Sequence, residues 1–310
     1  MTKQIVVVGS TSLDFVAGAG RIPVVGETII GNTFNTFYGG KGANQAVAAA
    51  KLGYPTAMIA RVGDDAFGPQ LQSALKTAGV DAGNVLNVAG PSGVALIMTG
   101  ASGENSIVVV PGSNGKLSPQ ELQKHEQTLR SAGMFLAQLE IPLETVEYLA
   151  EFADKNGIPL MLDPAPAREL PARLLQHVSW ITPNESETLT LLRSSEKDLA
   201  EDQVQRAAEE LLSRGVRSVV LKLGGRGCLV AHGGKMEFVP AFKVAAVDTT
   251  AAGDAFNGAF AVGLMRGQSP REAAGFACAV AGISVTRHGA QPSMPSSAEV
   301  ESFLREHRTK

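Results

Sequence analysis

The alternation of short apolar runs with segments of helical period constrains this chain more than any other feature. Residues 5–9, 56–62, 133–138, 159–163, 180–182 and 218–223 are short apolar runs, and their length predicts strands. Between them lie stretches with helical spacing. Residues 41–52 put Ala43, Ala46, Val47 and Ala50 on one stripe, and 143–155 do the same with Leu143, Val146, Leu149, Ala150 and Ala153. Helices are also predicted over 67–78, 203–213, 253–266, 270–287 and 296–307, with a hairpin over 227–239 turning at Gly233-Gly234. Strands joined through helices pair in parallel, because the crossover returns the chain to the same end of the sheet. Runs without polar alternation need cover on both faces, so the predicted fold is α/β, with a mainly parallel sheet between helical layers.

Two stretches break this rhythm. Residues 12–38 and 92–111 are strand-like with glycine turns, and no helix separates their strands. They are expected to form a small antiparallel flap over one end of the sheet. Within it, Ile107-Val108-Val109-Val110 is apolar at every position. One face could close over a ligand while the other meets a second subunit. An ordinary core strand reads equally well.

Composition removes several function classes. The 310 residues carry 27 basic and 30 acidic side chains, a net charge of −3, so there is no basic footprint for nucleic acid or an anionic membrane. With 44% hydrophobic residues the chain has material for a core. No apolar run reaches the length of a membrane span, and the one near residue 5 is too short for a signal peptide. Cys228 and Cys278 form no CxxC pair and read as two buried thiols in a reducing, cytoplasmic setting. The five histidines lack metal-ligand spacing. An anionic ligand must therefore be held by local features.

Two segments offer such features. Asp248-Thr249-Thr250-Ala251-Ala252-Gly253-Asp254 is a small-residue turn ending in a carboxylate at the start of a helix. The unpaired amides of a first helical turn make an anion site, and a carboxylate beside them could act as a base. An ordinary helix cap at Asp254 is the plainer alternative. Gly39-Gly40-Lys41-Gly42-Ala43-Asn44-Gln45 also opens a helix, but it lacks the GxxxxGK[ST] spacing of a phosphate loop. Its glycines allow close backbone approach, and Asn44 is polar in an alanine stripe. That suits hydroxyl recognition, although a solvated helix start would look the same.

Together the two segments resemble the paired signatures of the ribokinase-like (PfkB) carbohydrate kinase family. The resemblance continues in family order through Gly26-Glu27-Thr28, Gln138-Leu139-Glu140, Asp163-Pro164-Ala165-Pro166-Ala167, Asn184-Glu185-Ser186-Glu187, Leu223 to Gly227 and Gly289 to Ser293. It implies a single kinase domain over 1–310, a three-layer sandwich whose lid comes from 12–38 and 92–111, and a homodimer formed through that lid. It also implies phosphoryl transfer from ATP, carried with Mg²⁺, to a sugar's primary hydroxyl. The GGKGANQ form points to D-ribose; fructose, 2-keto-3-deoxygluconate or a nucleoside are the alternatives, and a non-catalytic sugar sensor is a third.

By the same resemblance Asp254 is the base, and the amides of Ala251, Ala252 and Gly253 form the anion hole. Ser12, Asp14, Gly40, Lys41, Asn44 and Glu140 would bind the sugar. Asn184 and Glu187 would help place Mg²⁺ and phosphates. Lys222, Gly224, Gly225, Gly227, Gly253 and Cys278 would meet the nucleotide. An activating K⁺ would sit at Asp248, Thr250, Ser284, Arg287, Gly289 and Ser293. Ser12, Lys222 and Cys278 depart from the family's commoner asparagine, threonine and histidine.

Overall fold

The computed structural model describes residues 3–196 and 198–308. In chain order the strands are β1 (Gln4–Val8), β2 (Ser12–Gly18), β3 (Thr33–Gly39), β4 (Thr56–Gly63), β5 (Asp81–Val88), β6 (Gly93–Thr99) and β7 (Asn105–Val110). They continue with β8 (Ala132–Ala137), β9 (Leu160–Leu162), β10 (Trp180–Ile181), β11 (Val219–Lys222), β12 (Gly227–His232) and β13 (Lys235–Pro240). Among the described residues, nine of these form one sheet in the order β13-β12-β11-β10-β9-β8-β1-β4-β5. Every pair from β11 across to β5 is parallel. The β12–β13 hairpin adds an antiparallel edge.

Both faces of the sheet are covered, as the unbroken apolar runs require. Alternate residues of β1 divide between the two cores. Ile5 and Val7 meet the helices Lys41–Lys51, Gly68–Thr77, Ala252–Met265 and Pro270–Ser284. Val6 and Val8 meet Leu143–Lys155 and Val204–Ser213. Strand β5 has no counterpart in the apolar pattern, for a physical reason. It is an edge strand with a register shift near its start, burying only Ala82 and Val85 and exposing Asp81. Cys228 and Cys278 are both free and buried. No helix among the described residues is long and apolar enough to cross a membrane.

The interrupting stretches form a second sheet, β3-β2-β6-β7. Its outer pairs are antiparallel. The middle pair, β2 with β6, is parallel, because these strands come from distant stretches of chain and not from a hairpin. Ile107, Val108, Val109 and Val110 are 43 to 57% exposed, so this run is not core.

One helix crossing positions the rest of the site. Gly258 in the Ala252–Met265 helix lies against the Lys41–Lys51 helix, where a Cβ would stand 2.7 Å from Ala48 Cβ and 2.7 Å from the Gln45 carbonyl oxygen. Alanine normally favours a helix over glycine by about 1 kcal/mol. Here it would collide with backbone that cannot retreat, and overpacking of this kind costs about 1–3 kcal/mol. Gly258→Ala is therefore expected to lower the urea unfolding midpoint without changing the slope. An unchanged or raised midpoint would show that the crossing is looser than its geometry.

Candidate active site

The first helix of the site starts where the chain is pressed against residues 9–11, just after β1. Gly40 has φ 87°, and a Cβ there would lie 2.6 Å from Thr11 Cα, so the position demands glycine. The Lys41 amide donates to Glu140 Oε2 at 3.0 Å, and the Ser10 hydroxyl donates to the same oxygen. A carboxylate thus sits on the positive end of the helix, where the macrodipole favours it. One turn along, Asn44 and Gln45 point at the second signature. Asn44 Nδ2 donates to Asp254 Oδ2 at 3.0 Å, and Gln45 Nε2 donates to Asp254 Oδ1 at 3.0 Å. Residues 210 positions apart in sequence are in direct contact.

Asp254 lies in the first turn of the Ala252–Met265 helix. Burial pushes its carboxyl up to about 6, against the pull of Lys41 and of the Asn44 and Gln45 hydrogen bonds, while Asp163 pushes it further up. Ala251 caps the helix in the left-handed region, with φ 57°, a conformation that costs an alanine energy and holds the turn tight. The Ala252 amide does not point outward. It donates to the Thr249 carbonyl at 3.2 Å, while the amides of Ala251, Gly253 and Asp254 in this turn have no acceptor.

Behind the carboxylate is a buried polar chain. Gln45 Nε2 also donates to Asp163 Oδ2 at 2.9 Å, and Gln138 Nε2 donates to Gln45 Oε1 at 2.7 Å. Lys222 Nζ pairs with Asp163 Oδ1 at 3.1 Å. The same ammonium stands 3.3 Å from where a Cβ on Gly253 would be, next to the unpaired amides. Lys222, one of the three departures from the family pattern, is thus a cation fixed beside the helix start. Burial opposes the charge on Lys41, but the surrounding Asp254, Asp163, Glu140 and Glu187 carboxylates outweigh it and keep the ammonium protonated.

Asp14 is set on β2 against Gly39 of β3, where a Cβ would lie 2.1 Å from Asp14 Oδ2. Burial raises its carboxyl to about 6, the Ser12 hydrogen bond lowers it, and Glu140 raises it. Ser12 Oγ donates to Asp14 Oδ1 at 2.7 Å. Asn184 caps the Glu185–Leu191 helix in a reciprocal box with Glu187. Both Glu187 oxygens accept from Asn184, at 2.7 and 3.0 Å. Burial raises the Glu187 carboxyl, against the pull of Lys222.

A cavity of about 470 Å³ adjoins the helix start, walled by Lys222, Gly224, Gly225, Gly227, Gly253, Phe256 and Cys278. A second hollow, of about 600 Å³ and lined by residues such as Arg266, Glu272 and His307, contains none of the signature residues. The predicted cation residues form two linked loops. Asp248 Oδ1 accepts from the Thr250 amide at 2.9 Å and its Oδ2 from the Gly289 amide at 2.8 Å. Ser284 and Ser293 donate their hydroxyls to the Ala281 and Ala290 carbonyls, and Arg287 is turned away onto Glu299.

The chain from residue 2 to 297 matches the model of the pfkB family carbohydrate kinases. The chain belongs to that family. As a pfkB kinase it is 40% identical over 305 residues to a ribokinase of Haemophilus influenzae, covering 98% of this chain and 99% of that one. It is 37% identical over 303 residues to a deoxyribokinase of Salmonella typhimurium, covering 97% and 98%. The solved Arabidopsis thaliana ribokinase complexed with ribose and ATP superposes with a TM-score of 0.91 at 37% identity, over 98% of this pfkB kinase and 99% of that chain.

Sequence reading missed Ser10, Gln45, Gln138 and Asp163 as members of this site. Gln45, Gln138 and Asp163 stood inside quoted motifs and Ser10 directly after the first apolar run, yet a polar residue does not announce which neighbour it binds.

Proposed function

We propose that this chain transfers the γ-phosphoryl group of ATP to the primary hydroxyl of D-ribose, giving ribose 5-phosphate and ADP. The observation that carries the reading is the Asn44–Asp254 hydrogen bond, which joins the two signatures at one point. It sets a carboxylate, unpaired helix-start amides and two lysines around a place where a hydroxyl and a phosphate can meet.

Asp254, pushed up to about 6 by burial, is still mostly carboxylate at pH 7. It takes the hydroxyl proton as the sugar oxygen attacks the γ-phosphorus. The bond from that phosphorus to the ADP oxygen breaks, and its electron pair leaves with ADP. The Gly253 and Asp254 amides receive the charge that develops, with Lys222 beside them. Ala251 and Ala252 shape the turn. Ser12, Asp14, Gly40, Lys41, Asn44 and Glu140 hold sugar hydroxyls. Gly224, Gly225, Gly227 and Cys278 wall the nucleotide cavity. Mg²⁺, when carried on the ATP phosphates, neutralises part of their charge. The donors fit a metal that keeps its waters: both Glu187 oxygens are engaged by Asn184, and the described residues hold no cluster of three or more acidic, histidine or cysteine ligands. Asn184 and Glu187 would help hold it.

A second reading has its own support. The Salmonella deoxyribokinase is nearly as similar as the ribokinases, and the Ser12 hydroxyl is turned onto Asp14. The two sugars differ in one hydroxyl. ADP formation with ribose, 2-deoxyribose, fructose, 2-keto-3-deoxygluconate and adenosine should give ribose the highest kcat/KM; 2-deoxyribose ahead of ribose selects the second reading. Asp254→Asn should cut kcat by roughly 10²–10⁴ while sugar binding survives. Undiminished turnover in that variant would remove the assigned base.

Asp248, Thr250, Ser284, Arg287, Gly289 and Ser293 form the K⁺ site in this reading, with Arg287 contributing only backbone. Potassium should raise kcat above the sodium value, and a flat titration at fixed Mg·ATP would exclude the site. The exposed apolar lid, with Leu96 paired beside 107–110 and Phe34 on the opposite edge strand, is the surface for a homodimer. Sedimentation at micromolar protein should give the dimer mass, and a monomer alone would reject it. The free buried thiols suit a cytoplasmic location; recovery of the native activity outside the cytosolic fraction would contradict it.

A further inference from the structure

We infer that Gln45 is a positioning residue that holds the base: its amide clamps the Asp254 carboxylate to the buried Asp163–Lys222 pair and keeps it in reach of the sugar hydroxyl. The inference rests on Asp254 being the base.

Gln45 is 1% exposed and its side chain is fully engaged. Its two N–H groups go to two different carboxylates, Asp254 at 3.0 Å and Asp163 at 2.9 Å. Its oxygen accepts from Gln138 Nε2 at 2.7 Å. That last bond fixes the amide's sense. A flipped Gln45 would turn its oxygen toward two carboxylates and its N–H groups toward a donor, losing three hydrogen bonds and adding repulsion. Lys222 Nζ, 3.1 Å from Asp163, anchors the far end of the chain beside Gly253. The base is thereby tied, through one neutral amide, to the cation that stands at the phosphate position.

A neutral donor is the apt choice here. Lys41, Asn44 and Gln45 face Asp254 from the Lys41–Lys51 helix, and Asp163 faces it from the segment after β9. Glu140 and Glu187 reach the same centre through Lys41. An acidic residue at 45 would add a carboxylate to this crowd, and a basic one would hold Asp254 too firmly as an anion to accept a proton. An amide lowers the carboxyl's affinity for protons modestly while fixing its direction.

The test is the pH dependence of kcat at saturating sugar and ATP, in the full-length protein. The wild type should lose activity as pH falls through about 6. Gln45→Met, close in size but without donors, should move this acid limb upward by about one unit, which by itself lowers kcat at pH 7 by about twofold, with a further loss from the misplaced carboxylate. Activity should recover in part toward pH 8–9, with the sugar KM within about threefold. Gln138→Met, which leaves Gln45 in place but frees its amide to turn, should shift the limb in the same direction by less, and it serves if the first variant does not fold. An unmoved limb in both variants overturns the inference. So does a loss of kcat by the same factor at every pH, which is what a merely structural role would give. Asp254→Asn separates the two levels. If that variant is inactive while the Gln45 and Gln138 variants keep the wild-type limb, the base assignment stands and only the clamp falls.

Discussion

The site depends on two helix starts being held against each other over a buried carboxylate. Asp254 receives one hydrogen bond on each oxygen from adjacent residues of the Lys41–Lys51 helix. Those bonds form only because the two helices approach closely at Gly258 and Ala48. A carboxylate taken out of water is costly unless it is hydrogen-bonded and paired. The crossing therefore fixes more than a shape: it supplies the partners that let an acid remain ionisable near neutral pH in the interior. The raised carboxyl at Asp254 is the residue of that contest, with burial, aided by Asp163, outweighing Lys41 and the two amides.

Charge balance explains why the neighbourhood is built as it is. Four carboxylates, Asp254, Asp163, Glu140 and Glu187, act on Lys41, and Lys222 pairs with one of them. The centre carries more negative than positive side-chain charge before any nucleotide arrives. In the proposed reaction a polyphosphate would therefore depend on its own metal, on the two lysines and on the backbone amides of the helix start. The protein's small net charge fits this arrangement, because attraction is local and not spread over the surface.

Much of this was legible in the amino-acid order. Apolar runs without alternation marked the parallel strands, and alanine stripes marked the helices that pack on them. The two small-residue segments marked both helix starts, because glycine and alanine are what close backbone approach requires. Strand β5 was invisible, since this edge strand buries only Ala82 and Val85 and leaves no apolar run. The parallel pairing of β2 with β6 was also invisible, since it joins strands that no turn connects. Gln45, Gln138 and Asp163 were hidden for a different reason. Their types fit a solvated surface as well as a buried network, and only the fold shows that three distant segments converge. Ala251 shows the converse. Its type suggests nothing, yet its left-handed backbone shapes the turn that presents the amides.

The central claim is spatial: phosphate, sugar hydroxyl and carboxylate converge at the mouth of the Ala252–Met265 helix. The most direct test is a crystal structure of this chain with ribose, ADP and aluminium fluoride as a mimic of the phosphoryl group in transit. The account predicts the fluoride plane within hydrogen-bond distance of the Gly253 and Asp254 amides, with the primary hydroxyl of the sugar between it and the Asp254 carboxylate. A sugar bound with that hydroxyl turned away from Asp254, or a fluoride plane held elsewhere, would contradict it.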